Sequence, residues 1–125
     1  MADRTVTVKS SGGDYVSLNA ALSGESKDLV TNTQLLTIEC YNFEDTTAWG
    51  TGTGYTANAS YYILILGVDN HLGVWSTSAY RYNVVAAPCG NIQAAYTRLI
   101  NIQGKSGTLT ATGQAVLQWS VDNVL

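Results

Sequence analysis

Hydrophobic and polar residues alternate with period two along most of this chain. Thr5 to Lys9 interleaves β-branched and polar residues and predicts a short first strand. From Gln34 to Phe43 the face Leu36, Ile38, Cys40 opposes the face Leu35, Thr37, Glu39, Tyr41. Tyr61 to Val68 is apolar on both faces, which predicts a strand covered on both sides. Tyr80 to Ala86 and Tyr96 to Gln103 are further strands. Thr108 to Thr112 predicts a short one, and Ala115 to Leu125 one or two more. Helical spacing occurs once: Tyr15, Leu18, Ala21 and Leu22 share a face, Ser17 stands where it can cap the first turn, and Gly24 stops the helix. Two turns of helix are too short to stand alone, so this one must pack on something. Ser10 to Asp14, Asp69 to Gly73 and Pro88 to Gly90 predict turns, and Asp45 to Asn58 a loop or weak strand.

The best strand centres, Ile38, Ile63, Leu99 and Asn123, recur at roughly 25-residue steps, with room for a loop insertion between Ile63 and Leu99. Such a period predicts a mainly β fold of the solenoid kind: a right-handed parallel β-helix whose first coil is covered by the short N-terminal helix. A β-sandwich or jelly roll is the alternative. The helix favours the solenoid, because a solenoid needs a cap, as does the lack of the Asn-Gly or Asp-Gly turns typical of antiparallel hairpins. One domain is expected over residues 1–125, with the cap at about residues 1–30 and the coils at about residues 31–125.

Thr7-Val8-Lys9 followed by Gly12-Gly13-Asp14-Tyr15, Ser17 and Leu18 resembles the opening of pectate-lyase-like β-helix proteins of the phage and marine bacterial type. Thr37 to Tyr41, Tyr61 to Ile65 and Trp75 to Tyr82 resemble later pieces of that family. The resemblance implies a β-helix and leaves the activity open, since the fold carries lyases, hydrolases, tailspikes and inert stalks. Full β-helices run through many more coils than this chain has. Its last residues, Ser120 to Leu125, resemble the middle of a strand, so the expectation is either a piece of a longer protein or an open coil end that pairs with another copy.

Composition narrows the function classes. Charged residues make up 12% of the chain, and its net charge is −3. The six Lys and Arg residues are scattered, without the basic stripe of a nucleic-acid binder. No apolar run approaches the ~20 residues of a membrane span. The start lacks the apolar core of a signal peptide, and the location stays open, with a virion or an extracellular surface as the sites the resemblance implies. Cys40 alternates with Leu36 and Ile38 and reads as a small buried hydrophobe. Cys89 falls in a turn, and the two leave a disulfide open.

No catalytic residue, metal ligand or cofactor motif is assigned. In lyases of this fold the resemblance implies clustered carboxylates on successive coils, and Asp45, Asp69 and Asp122 form no such cluster. Glu44-Asp45 reads as a solvated loop pair. His71 reads either as an acid or base oriented by Asp69 or as an exposed turn histidine. Gly50 to Gly54 reads as a flexible loop, and Asn58-Ala59-Ser60 matches a glycosylation acceptor. Aromatic residues crowd the middle third. Trp49, Tyr55, Trp75 and Tyr80 are the candidates for stacking on a glycan, and the same rings suit a core equally well. The function expected is therefore a non-catalytic structural or binding module, the capped start of a β-helix from a phage-like or surface protein. The alternative is the N-terminal piece of a carbohydrate-active enzyme without its active coils.

Overall fold

The computed structural model describes residues 3–85, 89–106 and 117–119. These residues are mainly strands with one short helix. In chain order they are β1 (Arg4–Val8), α1 (Leu18–Gly24), β2 (Leu36–Cys40), β3 (Glu44–Asp45), β4 (Trp49–Gly50), β5 (Ile63–Gly67), β6 (Arg81–Val84), β7 (Gly90–Ile92), β8 (Thr97–Ile100), β9 (Gln103–Ser106) and β10 (Leu117–Trp119).

The strands form three sheets, ordered β1-β2-β5-β8, β3-β6-β9 and β10-β7-β4. Every pair of described strands is parallel. From β2 onward the chain visits the sheets in a fixed rotation. β2, β3 and β4 supply one strand to each, then β5, β6 and β7, then β8, β9 and β10.

Register in the four-stranded sheet follows the hydrophobic alternation. Val6, Ile38, Ile65 and Leu99 stand in one row, and Leu36, Ile63 and Thr97 in the next. β2 and β5 alternate buried and half-buried positions along their length. Ladders of branched side chains thus stack inward, and the outward face of β5, Leu64 and Leu66, is half-covered. Sequence spacing aligns Ile38 with Ile63, whereas the structure pairs Ile38 with Ile65. A shift of two residues keeps the same face inward, so alternation alone does not detect it.

One further expectation changes, and one is made definite. The alternating run from Tyr96 to Gln103 is not one strand: it breaks between β8 and β9 at Asn101, whose φ of 56° turns a corner. The corner stands over Gly67, where a β-carbon would meet the Asn101 carbonyl oxygen at 2.0 Å. The segment from Asp45 to Asn58, expected as loop or weak strand, contributes to β3 and supplies β4. Strands of two residues are too short to show a period. Thr108 to Thr112, Pro88 and Ser120 to Leu125 lie outside the described residues.

α1 forms where its capping signals stand. Ser17 Oγ accepts from Ala20 N at 3.1 Å, and Leu18, Ala21 and Leu22 are buried against the strands. The helix packs on β1, β2 and β4. Gly24 leaves room for the Tyr15 ring, since a β-carbon there would meet Tyr15 Oη at 2.6 Å. The outer edge of β1 is closed by the turn that leads into the helix. Asp14 Oδ2 accepts from Thr7 N at 2.9 Å and from Thr7 Oγ1 at 3.1 Å. Tyr15 N donates to Thr7 O, and Lys9 N to Tyr15 O, each at 3.0 Å.

Candidate functional site

Two buried carboxylates bind α1 and its flanks to the sheets. Asp45, on β3, is 2% exposed. Its Oδ2 accepts from Leu18 N at 2.9 Å and from Tyr80 Oη at 2.8 Å, and its Oδ1 accepts from Thr47 N at 3.1 Å. The adjacent Glu44 is exposed, as opposite pleats require, but Asp45 is not the solvated loop carboxylate that composition suggests. Glu25, just past α1, is also buried. It pairs with Arg4 through both carboxylate oxygens and accepts from Tyr15 Oη at 2.6 Å. The hydrogen bond from Arg4 is the main cause that holds the Glu25 carboxyl below its usual range, against the opposing cost of burial, with the Tyr15 bond adding to it.

Three of the four candidate stacking rings lie in this framework. Trp49 is buried, edge-on to Tyr82 at 5.7 Å between centroids. Tyr55 is buried and donates its hydroxyl to Leu22 O at 2.6 Å, which ties the end of α1. Tyr80 is fully buried, with Phe43 edge-on at 5.5 Å and its hydroxyl on Asp45. Burial first, then electrostatic interaction with Cys40 and with the Asp45 carboxylate, hold the Tyr80 phenol well above its ordinary range. A sugar needs an open ring face, so among the four only Trp75, 43% exposed, offers one.

Trp75 belongs to the loop between β5 and β6, and this loop carries the groove that remains as the candidate site. The loop is held by its own backbone turns. Leu72 N donates to Asn70 Oδ1 at 2.8 Å, Gly73 N to His71 Nδ1 at 3.0 Å, and Val74 N to His71 O at 3.1 Å. Leu72 and Gly73 take φ values of 56° and 79° to make the turn. Gln103, on β9, fastens the far side of the loop. Its Oε1 accepts from Ser76 N at 2.7 Å, and its Nε2 donates to Ser76 O at 2.9 Å and Tyr80 O at 3.2 Å.

Between loop and sheet lies an open groove of about 200 Å³, lined by His71, Gly73, Val74, Trp75, Gln103 and Gly104. Lys105 holds its ammonium 4.7 Å from the centroid of the Trp75 ring. The structure thus brings together His71 and Trp75, both singled out by sequence, and adds Gln103 and Lys105, which sequence passed over. His71 is oriented by its own turn through Gly73 N rather than by Asp69. Because Nδ1 accepts, the neutral ring carries its proton on Nε2. Among the described residues no three His, Cys, Asp or Glu side chains are grouped where they could hold a metal. Cys40 and Cys89 are both buried and no disulfide joins them, so the pairing left open by sequence is not formed. No described helix is long and apolar enough to cross a membrane. No family model, curated protein or solved structure matches the chain.

Proposed function

We propose that the chain is a non-catalytic structural module, the capped opening of a right-handed parallel β-helix, with the Trp75 groove as its contact point for a ligand. The observation that carries this reading is the fixed rotation of strands through three parallel sheets. A chain that returns to the same sheets in the same order, always parallel, advances as a coil. The right hand follows from the handedness of parallel crossovers between twisted strands. α1 covers the first pass and so supports its reading as the cap.

The chemistry-bearing groups also support a structural role. Asp45 and Glu25 accept hydrogen bonds that fasten the cap, and Cys40 lies wholly in the core. The phage-like or surface setting rests on the resemblance of Gly12 to Leu18 and its flanking strand. The partners proposed are a second copy, through the last coil, and a glycan at the open ring of Trp75.

Incubation with acidic and neutral polysaccharides, followed by assay of new reducing ends and unsaturated products, tests the non-catalytic role. No product is expected. Release of product by the wild type, lost on purification away from the chain, overturns the reading in favour of a carbohydrate-active enzyme. Light scattering over a range of concentrations is expected to give a dimer or larger, and a monomer throughout removes self-association.

A further inference from the structure

The groove has a chemical bias that the coil does not explain. The ion pairs found among the described residues, Arg4–Glu25 and Lys27–Glu25, both belong to Glu25. Lys105 stands against the Trp75 ring, which lines the groove, and its ammonium forms no ion pair with a carboxylate among the described residues. The polar lining groups divide into spent and open. Gln103 has both ends of its amide engaged with Ser76 and Tyr80. His71 has Nδ1 engaged and its proton on Nε2. What remains for a ligand is the Lys105 cation beside the groove, a neutral N–H donor and an aromatic wall, and no carboxylate is among the described lining side chains. Val74, 67% exposed, extends the apolar side.

From this we infer that the groove takes a small ring-bearing anion. The ring lies against Trp75 and Val74, and the carboxylate or sulfate meets Lys105 Nζ and His71 Nε2–H. Charge-assisted hydrogen bonds are the stronger class, and an anion replaces the weaker ring contact of Lys105. Gln103 does not touch the anion in this scheme: it fixes the loop, so the wall is formed before the ligand arrives. The inference deepens the binding part of the reading above and does not depend on the coil.

Two sources share this chemistry, aromatic acids and sulfated sugars, and matched probe pairs separate them. Phenylacetate is compared with 2-phenylethanol, and glucose 6-sulfate with glucose, by titration against the isotope-labelled full chain. The readout is the amide shifts of His71, Gly73, Val74 and Gly104 and the indole N–H of Trp75. Saturable shifts are expected for at least one anion, with roughly tenfold weaker binding of its neutral partner, the scale of one lost charge-assisted bond. Lys105→Gln, an exposed position, is expected to erase that preference while leaving the melting temperature unchanged. Raising the salt is expected to weaken the anion and not the neutral probe. Equal binding of charged and neutral probes, no saturable shift at the groove, or a preference that survives Lys105→Gln each overturns the proposal. None of these outcomes bears on whether polysaccharides are cleaved, so the two proposals fail separately.

Discussion

Replacing Asp45 with alanine tests whether one carboxylate joins helix and strands. The substitution strips the acceptor from Leu18 N and Tyr80 Oη, both in buried residues, and from Thr47 N, in an exposed one. Water can replace the last bond but not the first two. An orphaned buried donor costs about 1–3 kcal/mol, so the two together cost about 4 kcal/mol. Removing a buried charge returns part of this, leaving a net loss of about 3 kcal/mol. That is a large share of the ~5–15 kcal/mol of a typical domain. The assay is urea unfolding followed by circular dichroism, in which the midpoint falls while the slope stays constant. Tyr80→Phe alone removes one bond and costs about 1 kcal/mol. In the Asp45→Ala background the same change deletes a hydroxyl that has no partner, so the double variant is no less stable than Asp45→Ala. A loss below about 1 kcal/mol for Asp45→Ala refutes the linkage. So does a Tyr80→Phe cost that is equal in both backgrounds, because joined groups do not add.

Gly67→Ala is expected to lower stability by about 2 kcal/mol or more, seen in the melting temperature, because its β-carbon would meet backbone rather than a movable side chain. An unchanged melting temperature would show that the Asn101 corner yields freely. Glu25 has its pKa lowered in the fold, chiefly by the Arg4 hydrogen bond, so its contribution is present above the ordinary carboxylate range and is lost as pH falls through the lowered folded value. Glu25→Gln is therefore expected to be less stable at neutral pH and to lose less on acidification, and melting curves across that range with the wild-type slope would contradict it. Cys40 and Cys89 are buried, and burial pushes the Cys40 thiol up, with the Asp45 charge adding to it. A thiol reagent is expected to label neither in the folded protein and both in urea, whereas rapid labelling of the folded chain would place a thiol within reach of solvent.

Much of the fold is legible in side-chain alternation. β2 carries the inward face the sequence predicts, β5 buries one of its two apolar faces and half-covers the other, and α1 begins at the residue Ser17 caps. What alternation does not contain is which residue stands beside which. Ile38 facing Ile63 and Ile38 facing Ile65 bury the same side chains, and the difference lies in loop lengths and corners. Asn101 makes such a corner inside an apparently continuous strand, and only its positive φ reveals it. The candidate site was half legible. Trp75 and His71 stand out by residue type, but Gln103 and Lys105 gain their roles only when β9 comes beneath the loop. Asp45 was misread for the same reason: its partners Leu18 and Tyr80 are distant in sequence. Trp49, Tyr55 and Tyr80 show the ambiguity of aromatic residues, since the ring that stacks on a ligand fills a core just as well.

The Asp14–Tyr15 turn along β1 has a consequence for how the sheet meets other chains. A bare parallel edge is a template, and a passing extended segment can add to it in register. Here Thr7 N already donates to a side-chain oxygen, and Thr7 O and Lys9 N are taken by Tyr15. A foreign strand arriving along this stretch finds its hydrogen bonds already made, and would have to peel away the turn that leads into α1 before it could bind. Recruitment is thus discouraged at this flank by a few atoms of Asp14 and one residue of Tyr15 backbone, a local lock against runaway stacking in a protein whose described strands all pair in parallel.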